Sequence, residues 1–223
     1  MKQLKAASGS YRSKRELRMR EIVDAWLRER TIGARIVHEL VIGRGESRID
    51  MAAIEPFRIV AVEIKSHYDV TDRMLAQISF ATLACGEAWI VTEAGDDHQK
   101  RAVELLLYLL PSVGWAEIAR DDGLSVRNEA TARAPHPWLE SALCWVAELT
   151  SAAVRARLYQ PGKKPPTHSF LTSLWQQQDA GERTAAICAQ LRARDAFWRS
   201  DPVIPLAGDA AAPVQVKAPE PLL

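Results

Sequence analysis

Carboxylates interrupt three consecutive apolar stretches of this chain. Glu39 lies in His38-Glu39-Leu40, Asp50 in Arg48-Ile49-Asp50-Met51, and Glu63 with Lys65 in Ala61-Val62-Glu63-Ile64-Lys65-Ser66. A carboxylate among apolar neighbours is costly unless a cation or hydrogen bonds compensate it. One such interruption is common; three in succession call for a shared cause. If the second and third stretches form a hairpin centred on Pro56 and Phe57, Ile54 faces Ile59 and Asp50 faces Glu63. If the first and second turn through residues 43–46, Glu39 faces Asp50. The three acids then form a row with directly opposed Cβ atoms about 5 Å apart. Lys65, two residues beyond Glu63, projects from the same face, and Ile49, Met51, Val60, Val62 and Ile64 form the opposite, core face. A one-residue slip at the glycine loop would displace Glu39. The Asp50, Glu63 and Lys65 relation rests on the other turn.

Adjacent acids repel, so the row points to a divalent cation between them, and carboxylate oxygens suit Mg²⁺ or Mn²⁺. Such an ion polarises a phosphoryl group and acidifies a bound water. A lysine beside it orients that water or stabilises transition-state charge. Hydrolysis of a phosphodiester is the chemistry these residue types fit together. The bland alternative for Glu39 is an ion pair with Arg35 or Arg48.

Asp50 followed thirteen residues later by Glu63-Ile64-Lys65 resembles the D-x(n)-ExK signature of the PD-(D/E)xK, restriction-endonuclease-like nucleases, although Arg48-Ile49 replaces the usual proline context. The stretch from His38 to Ser66 is similar to MmcB-like DNA-repair proteins. A related bacterial and prophage group matches further, sharing Gln77, the Pro111…Gly114-Trp115 step and Leu143-Cys144-Trp145…Glu148, over roughly residues 15–158. The resemblance implies metal binding by Asp50, Glu63, the Ile64 carbonyl and Glu39, action of Lys65 on the nucleophilic water, and Gln77 on the helix flanking the site. It implies a Mg²⁺- or Mn²⁺-dependent endodeoxyribonuclease with DNA as partner, serving repair, recombination or prophage defence. The alternative is a catalytically inactive module of the same fold that binds DNA or a protein. Nucleases of this type often pair to cut both strands, so a homodimer is an expectation that no residue here specifies.

The elements that must hold these residues are legible as a series. Residues 11–28 read as a charged amphipathic helix burying Leu17, Ile22, Val23, Trp26 and Leu27. Three β-rich segments follow at Arg35–Ile42, Ser47–Ile54 and 58–66. Helical spacing returns over 72–85, a short strand over 89–92, a helix over 97–110 and a hairpin around Asp121, Asp122 and Gly123. Beyond Pro135 the pattern is helical over 137–158, 170–178 and 182–198, with a Pro/Lys/Gly linker at 160–166. The expected fold is α/β: a mixed central sheet flanked by helices, with a nuclease-like core over 1–135, an α-helical C-terminal annex over 136–200 and a disordered tail over 201–223.

A formal net charge of +1 over 223 residues does not advertise a polyanionic partner. Residues 1–30 do carry nine Lys or Arg against four acids, with Lys14, Arg15, Arg18 and Arg20 close together; that cluster suits either a phosphate backbone or a solvated helix face. His67, Tyr68 and Asp69 read as cleft residues or plain loop polar groups. Trp138, Trp145, Trp175 and Trp198 suit base stacking or, more commonly, core. Cys85, Cys144 and Cys188 form no disulfide framework or zinc knuckle, and no apolar run is long enough to cross a bilayer. A cytoplasmic protein without membrane association is expected.

Overall fold

A computed structural model describes residues 14–42, 45, 47–66, 73–195 and 200–206. Helix α1 (Lys14–Arg30) leads into β1 (Arg35–Ile42), β2 (Ser47–Ile54) and β3 (Ile59–Lys65). Then come α2 (Met74–Cys85), β4 (Gly86–Glu93), α3 (Asp97–Leu109), β5 (Gly114–Ile118) and β6 (Leu124–Asn128). Four helices follow: α4 (Pro137–Ser141), α5 (Val146–Arg155), α6 (His168–Gln176) and α7 (Ala180–Ala193). The six strands form one sheet in sequential order. Pairs β1–β2, β2–β3 and β5–β6 are antiparallel; β3–β4 and β4–β5, whose connections contain α2 and α3, are parallel. The α/β expectation, a mixed sheet flanked by helices, is thus met.

Apolar alternation distributes two cores across the sheet. On one side Met19, Val23 and Leu27 of α1 meet Ile36, Met51, Val60, Val62, Ile64, Trp89 and Ile118. On the other, Val37, Leu40, Ile49, Ala52, Ile54 and Ala61 join α2 and residues of α4 to α7, including Trp175, Ile187 and Leu191. Ile49 therefore lies opposite to Met51, against the simple two-residue alternation. The cause is local. Glu39, across from Asp50, has φ 58°, a left-handed conformation that bulky L-residues rarely adopt, and the rungs on either side of it are His38↔Met51 and Leu40↔Ile49. The distortion inserts no residue, yet it turns Leu40 and Ile49 towards the helices of the other layer.

Other boundaries shift for identifiable reasons. In α1, Met19 and Arg20 are buried while Leu17 is exposed, so the inward stripe is rotated from the expected one. The expected single helix over 137–158 is two, because Trp145 N–H donates to the Glu148 carboxylate at 2.7 Å and starts α5 afresh. Helix α2 passes directly into β4 at Gly86 (φ 84°), where a Cβ would stand 2.4 Å from the Arg133 carbonyl oxygen. Only glycine tolerates both the dihedral and the contact. Gly114 likewise admits the Trp89 ring, which a Cβ would meet at 2.3 Å.

Buried ion pairs tie the C-terminal helices together. Glu140, fully buried, accepts from Arg183 Nε at 2.6 Å and Thr184 Oγ1 at 2.5 Å. Arg194 donates to both Glu148 oxygens and to the Leu143 carbonyl, with its guanidinium 4.5 Å from the Trp145 ring centroid. Arg35, 2 % exposed, closes the end of α7 by donating to the carbonyls of Leu191, Arg192 and Arg194. Breaking one partner of such a pair leaves a charge stranded in the interior. Glu140→Ala is expected to lower unfolding stability by about 3 kcal/mol, read as a lower urea midpoint at unchanged slope; a loss of under about 0.5 kcal/mol would show that the pair contributes no more than a surface one.

Candidate metal and catalytic site

The hairpin register places the candidate residues. Ile54 pairs with Ile59 and Met51 with Val62, as the turn at Pro56 and Phe57 predicts; the turn itself is closed by Glu55 N–H donating to the Arg58 carbonyl. Met51↔Val62 is the last rung of this ladder. Beyond it β2 diverges, and the Asp50 side chain fills the fork: its Oδ2 accepts the Ile64 N–H at 2.9 Å. A carboxylate thus replaces the strand partner that the Ile64 amide would otherwise lack.

Glu63 is 2 % exposed, and one of its oxygens, Oε1, accepts from Lys65 Nζ at 2.8 Å. Its other oxygen, Oε2, is buried and has no hydrogen-bond partner. Lys65 also donates to Gln77 Oε1 on α2 at 3.1 Å, and Gln77 Nε2 makes a long contact of 3.4 Å to the Arg48 carbonyl. The structure therefore brings Glu63, Lys65 and Gln77 into one hydrogen-bonded chain, with Asp50 beside it in the fork.

Glu39 belongs to the same neighbourhood through cations. Its Oε2 accepts from Arg48 Nε at 2.5 Å and its Oε1 from Arg20 Nη2 at 3.2 Å. Arg35 is not its partner. Arg20, reaching in from α1, also donates to Asp50 Oδ1 at 2.6 Å and to the Asp50 carbonyl at 3.1 Å. The sequence placed Arg20 in a basic cluster with Lys14, Arg15 and Arg18 and so missed this contact. Its signal was there: Met19, Arg20, Val23 and Leu27 share the buried stripe of α1, and an arginine on such a stripe needs an acid to meet. Arg15 and Arg18 are held by acids too, Arg15 by Glu93 and Asp122, Arg18 by Asp122 and Glu21. A second residue not foreseen is Gln99 of α3, 2 % exposed, whose amide donates to the Ser66 carbonyl where β3 ends. Trp175 is core and Trp138 is exposed. His67, Tyr68, Asp69 and Trp198 lie outside the described residues.

Burial pushes the Glu63 carboxyl up to about 7, the nearby Asp50 charge adds to the rise, and Lys65 opposes it. Glu39 is raised as well, by burial first, against the pull of Arg20 and Arg48. Among the described residues no three His, Cys, Asp or Glu side chains already converge at metal-binding spacing. The donors nevertheless suit a hard divalent ion, since Glu63 Oε2 is a buried, unpartnered anionic oxygen and the Asp50 carboxylate, anchored through Oδ2 by the Ile64 N–H, stands beside it.

No protein-family model matches this chain, and no curated protein matches it. Among solved structures, SfsA of Pyrococcus furiosus, determined in complex with Ca²⁺, is similar at 16% identity and a TM-score of 0.35, over 53% of this chain and 65% of that one. The chain spans less than two thirds of SfsA, and so loose a likeness carries no argument about the site. No helix among the described residues is long and apolar enough to cross a membrane.

Because the Glu63 carboxyl is raised in the folded state, its proton contributes stability that is fully present below the unfolded value of 4.5 and is lost as pH rises through about 7. Urea unfolding in chelator-containing buffer should show wild-type stability falling over that window by up to about 3 kcal/mol, and a shallower fall in Glu63→Gln, where the raised Glu39 remains. The same slope in both proteins would remove Glu63 as its source.

Proposed function

We propose that the protein is a Mg²⁺- or Mn²⁺-dependent nuclease that hydrolyses DNA phosphodiester bonds, in repair, recombination or prophage defence. The observation that carries this reading is the buried, partnerless Glu63 Oε2 beside Lys65 and the Asp50 fork. An ionised oxygen withdrawn from water with no donor is expensive, and a divalent cation is the ligand that makes it favourable. The PD-(D/E)xK-like spacing of Asp50, Glu63 and Lys65 supports the same reading, as does Gln77 in hydrogen-bond contact with the lysine.

In this reading Asp50, Glu63 and the Ile64 carbonyl hold the ion, with Glu39 at its margin. When bound, the ion supplies Lewis-acid polarisation of the phosphoryl group and a water of lowered pKa. Asp50 is kept in place by the Ile64 N–H. Lys65, held by Glu63 and Gln77, orients the attacking water and places a positive charge beside the phosphoryl oxygens as charge builds on them. Gln77 fixes the lysine ammonium from the helix side, so that the group is aimed by two partners from different elements.

A second reading has its own observation. Arg20 and Arg48 already neutralise Glu39 and Asp50, as the ion pairs of an inactive module that binds DNA or a protein would. The two readings separate cleanly. Asp50→Ala, Glu63→Ala and Lys65→Ala are each expected to reduce Mg²⁺- or Mn²⁺-dependent cleavage of plasmid, single-stranded and branched DNA by a factor of about 10² or more, with far-ultraviolet circular dichroism unchanged. Wild-type protein that cleaves none of these substrates with either metal, yet retains DNA in a salt-sensitive and metal-independent way, would establish the inactive module instead. Matched RNA oligonucleotides test the choice of DNA through the 2′-hydroxyl.

A further inference from the structure

Arg20 lies among three carboxylates. Its Nη2 is 2.6 Å from Asp50 Oδ1, 3.2 Å from Glu39 Oε1 and 3.5 Å from Glu16 Oε1, while Nη1 donates to the Asp50 carbonyl. Asp50 in turn stands close enough to Glu63, on the other branch of the fork, for its charge to act there. The residue is 5 % exposed. A guanidinium with so little solvent, drawn to Asp50 and Glu39 together, supplies to the acids the positive charge that a divalent ion would supply.

We propose that Arg20 is a resident counter-cation of the site: its guanidinium takes the Asp50 and Glu39 oxygens that a divalent ion needs, and metal binding requires it to be displaced. This rests on the metal-binding reading above and adds a control on that reading, since the affinity of the site is set against an internal competitor. The structure also supplies a place for the displaced group. Glu16 stands one helical turn back on α1, four residues away, and is already at the outer limit of contact. The guanidinium can transfer its weight from Asp50 to Glu16 by rotation of its own side chain. Helix α1 need not move, and its first turn is in any case pinned to the far end of the sheet by Arg15, which contacts Glu93, Asp122 and the Ala119 carbonyl.

The charge balance agrees. Glu16, Glu39, Asp50 and Glu63 face Arg20, Arg48 and Lys65, so the cluster is close to neutral without any ion. Removing the arginine charge takes the cluster from one net negative charge to two, and the more acidic site binds a divalent cation more tightly. Were Arg20 instead a support that merely aims Asp50, its removal would weaken binding. The two roles predict opposite signs.

Isothermal titration of Mn²⁺ into the full chain reads this directly, with no dependence on cleavage. Arg20→Met, which keeps the apolar stem and removes the charge, is expected to bind Mn²⁺ roughly ten-fold or more tightly than wild type. Arg20→Lys should bind Mn²⁺ less tightly than Arg20→Met, because the positive charge is retained. Asp50→Asn should abolish the tight binding in the Arg20→Met background. In the wild-type protein itself, the Arg20 guanidinium resonances should shift on addition of Mg²⁺, which tests displacement without a variant. Equal or weaker binding by Arg20→Met, with wild-type binding lost in Asp50→Asn and Glu63→Gln, overturns the counter-cation and leaves the metal site standing. Absence of binding in every protein overturns both. Binding by Arg20→Met alone supports the proposal in its strongest form, full occlusion by the arginine.

Discussion

The Asp50 carboxylate accepts the Ile64 N–H just past the last rung of the β2–β3 ladder. Two antiparallel strands that part company leave amides and carbonyls exposed to whatever fills the gap. Here a side-chain oxygen fills it, so the fork is held open at a defined width and the carboxylate that props it is held in turn. Glu63, the neighbour of Ile64, stands at the same level, and Lys65 follows two residues on. The geometry of the whole site is therefore referred to one hydrogen bond between a strand that is leaving the sheet and one that is staying. Its surroundings reinforce it: β3 is buried along its entire length and flanked on the other side by the parallel strand β4.

Around that point the chain matches acids with cations drawn from three elements: Arg20 from α1, Arg48 from β2 and Lys65 from β3. Each contributes a different kind of contact. Lys65 is a compact charge shared between a carboxylate and an amide oxygen. Arg48 is mostly exposed and reaches Glu39 from solvent, a contact that salt weakens. Arg20 is sheltered and multidentate, which makes it the cation that governs the acidic cluster.

Much of this was legible before any coordinates. A turn at Pro56 and Phe57 dictates which residues of β2 and β3 lie across from one another, and two-residue periodicity then places Glu63 and Lys65 on one side; neither inference needs more than local chain geometry. The mixed sheet was legible for a similar reason, since three short β-rich segments precede alternating helix and strand. What was not legible is non-local or conformational. Nothing in His38-Glu39-Leu40 announces a left-handed backbone at Glu39, yet that dihedral moves Ile49 to the other core. The partner of Asp50 comes from an arginine thirty residues away; the stripe of Met19, Val23 and Leu27 carries Arg20 inward, but nothing local says which acid it meets. The break between α4 and α5 depends on the Glu148 carboxylate capturing its own helix start, a competition with helix continuation that periodicity over 137–158 does not register.

The stretch at 200–204 has a consequence for how this sheet meets other molecules. β1 is an outer strand, and its Ile36 amide and carbonyl would otherwise face solvent. Asp201 takes both: its N–H donates to the Ile36 carbonyl and its carboxylate accepts the Ile36 N–H, while Arg28 and Arg35 grip the same residue. One rung of a seventh strand is thereby imitated by a piece of irregular chain. Open strands invite edge-to-edge aggregation, and here that side carries its own stopper, leaving the five-residue β6 as the sheet's other margin.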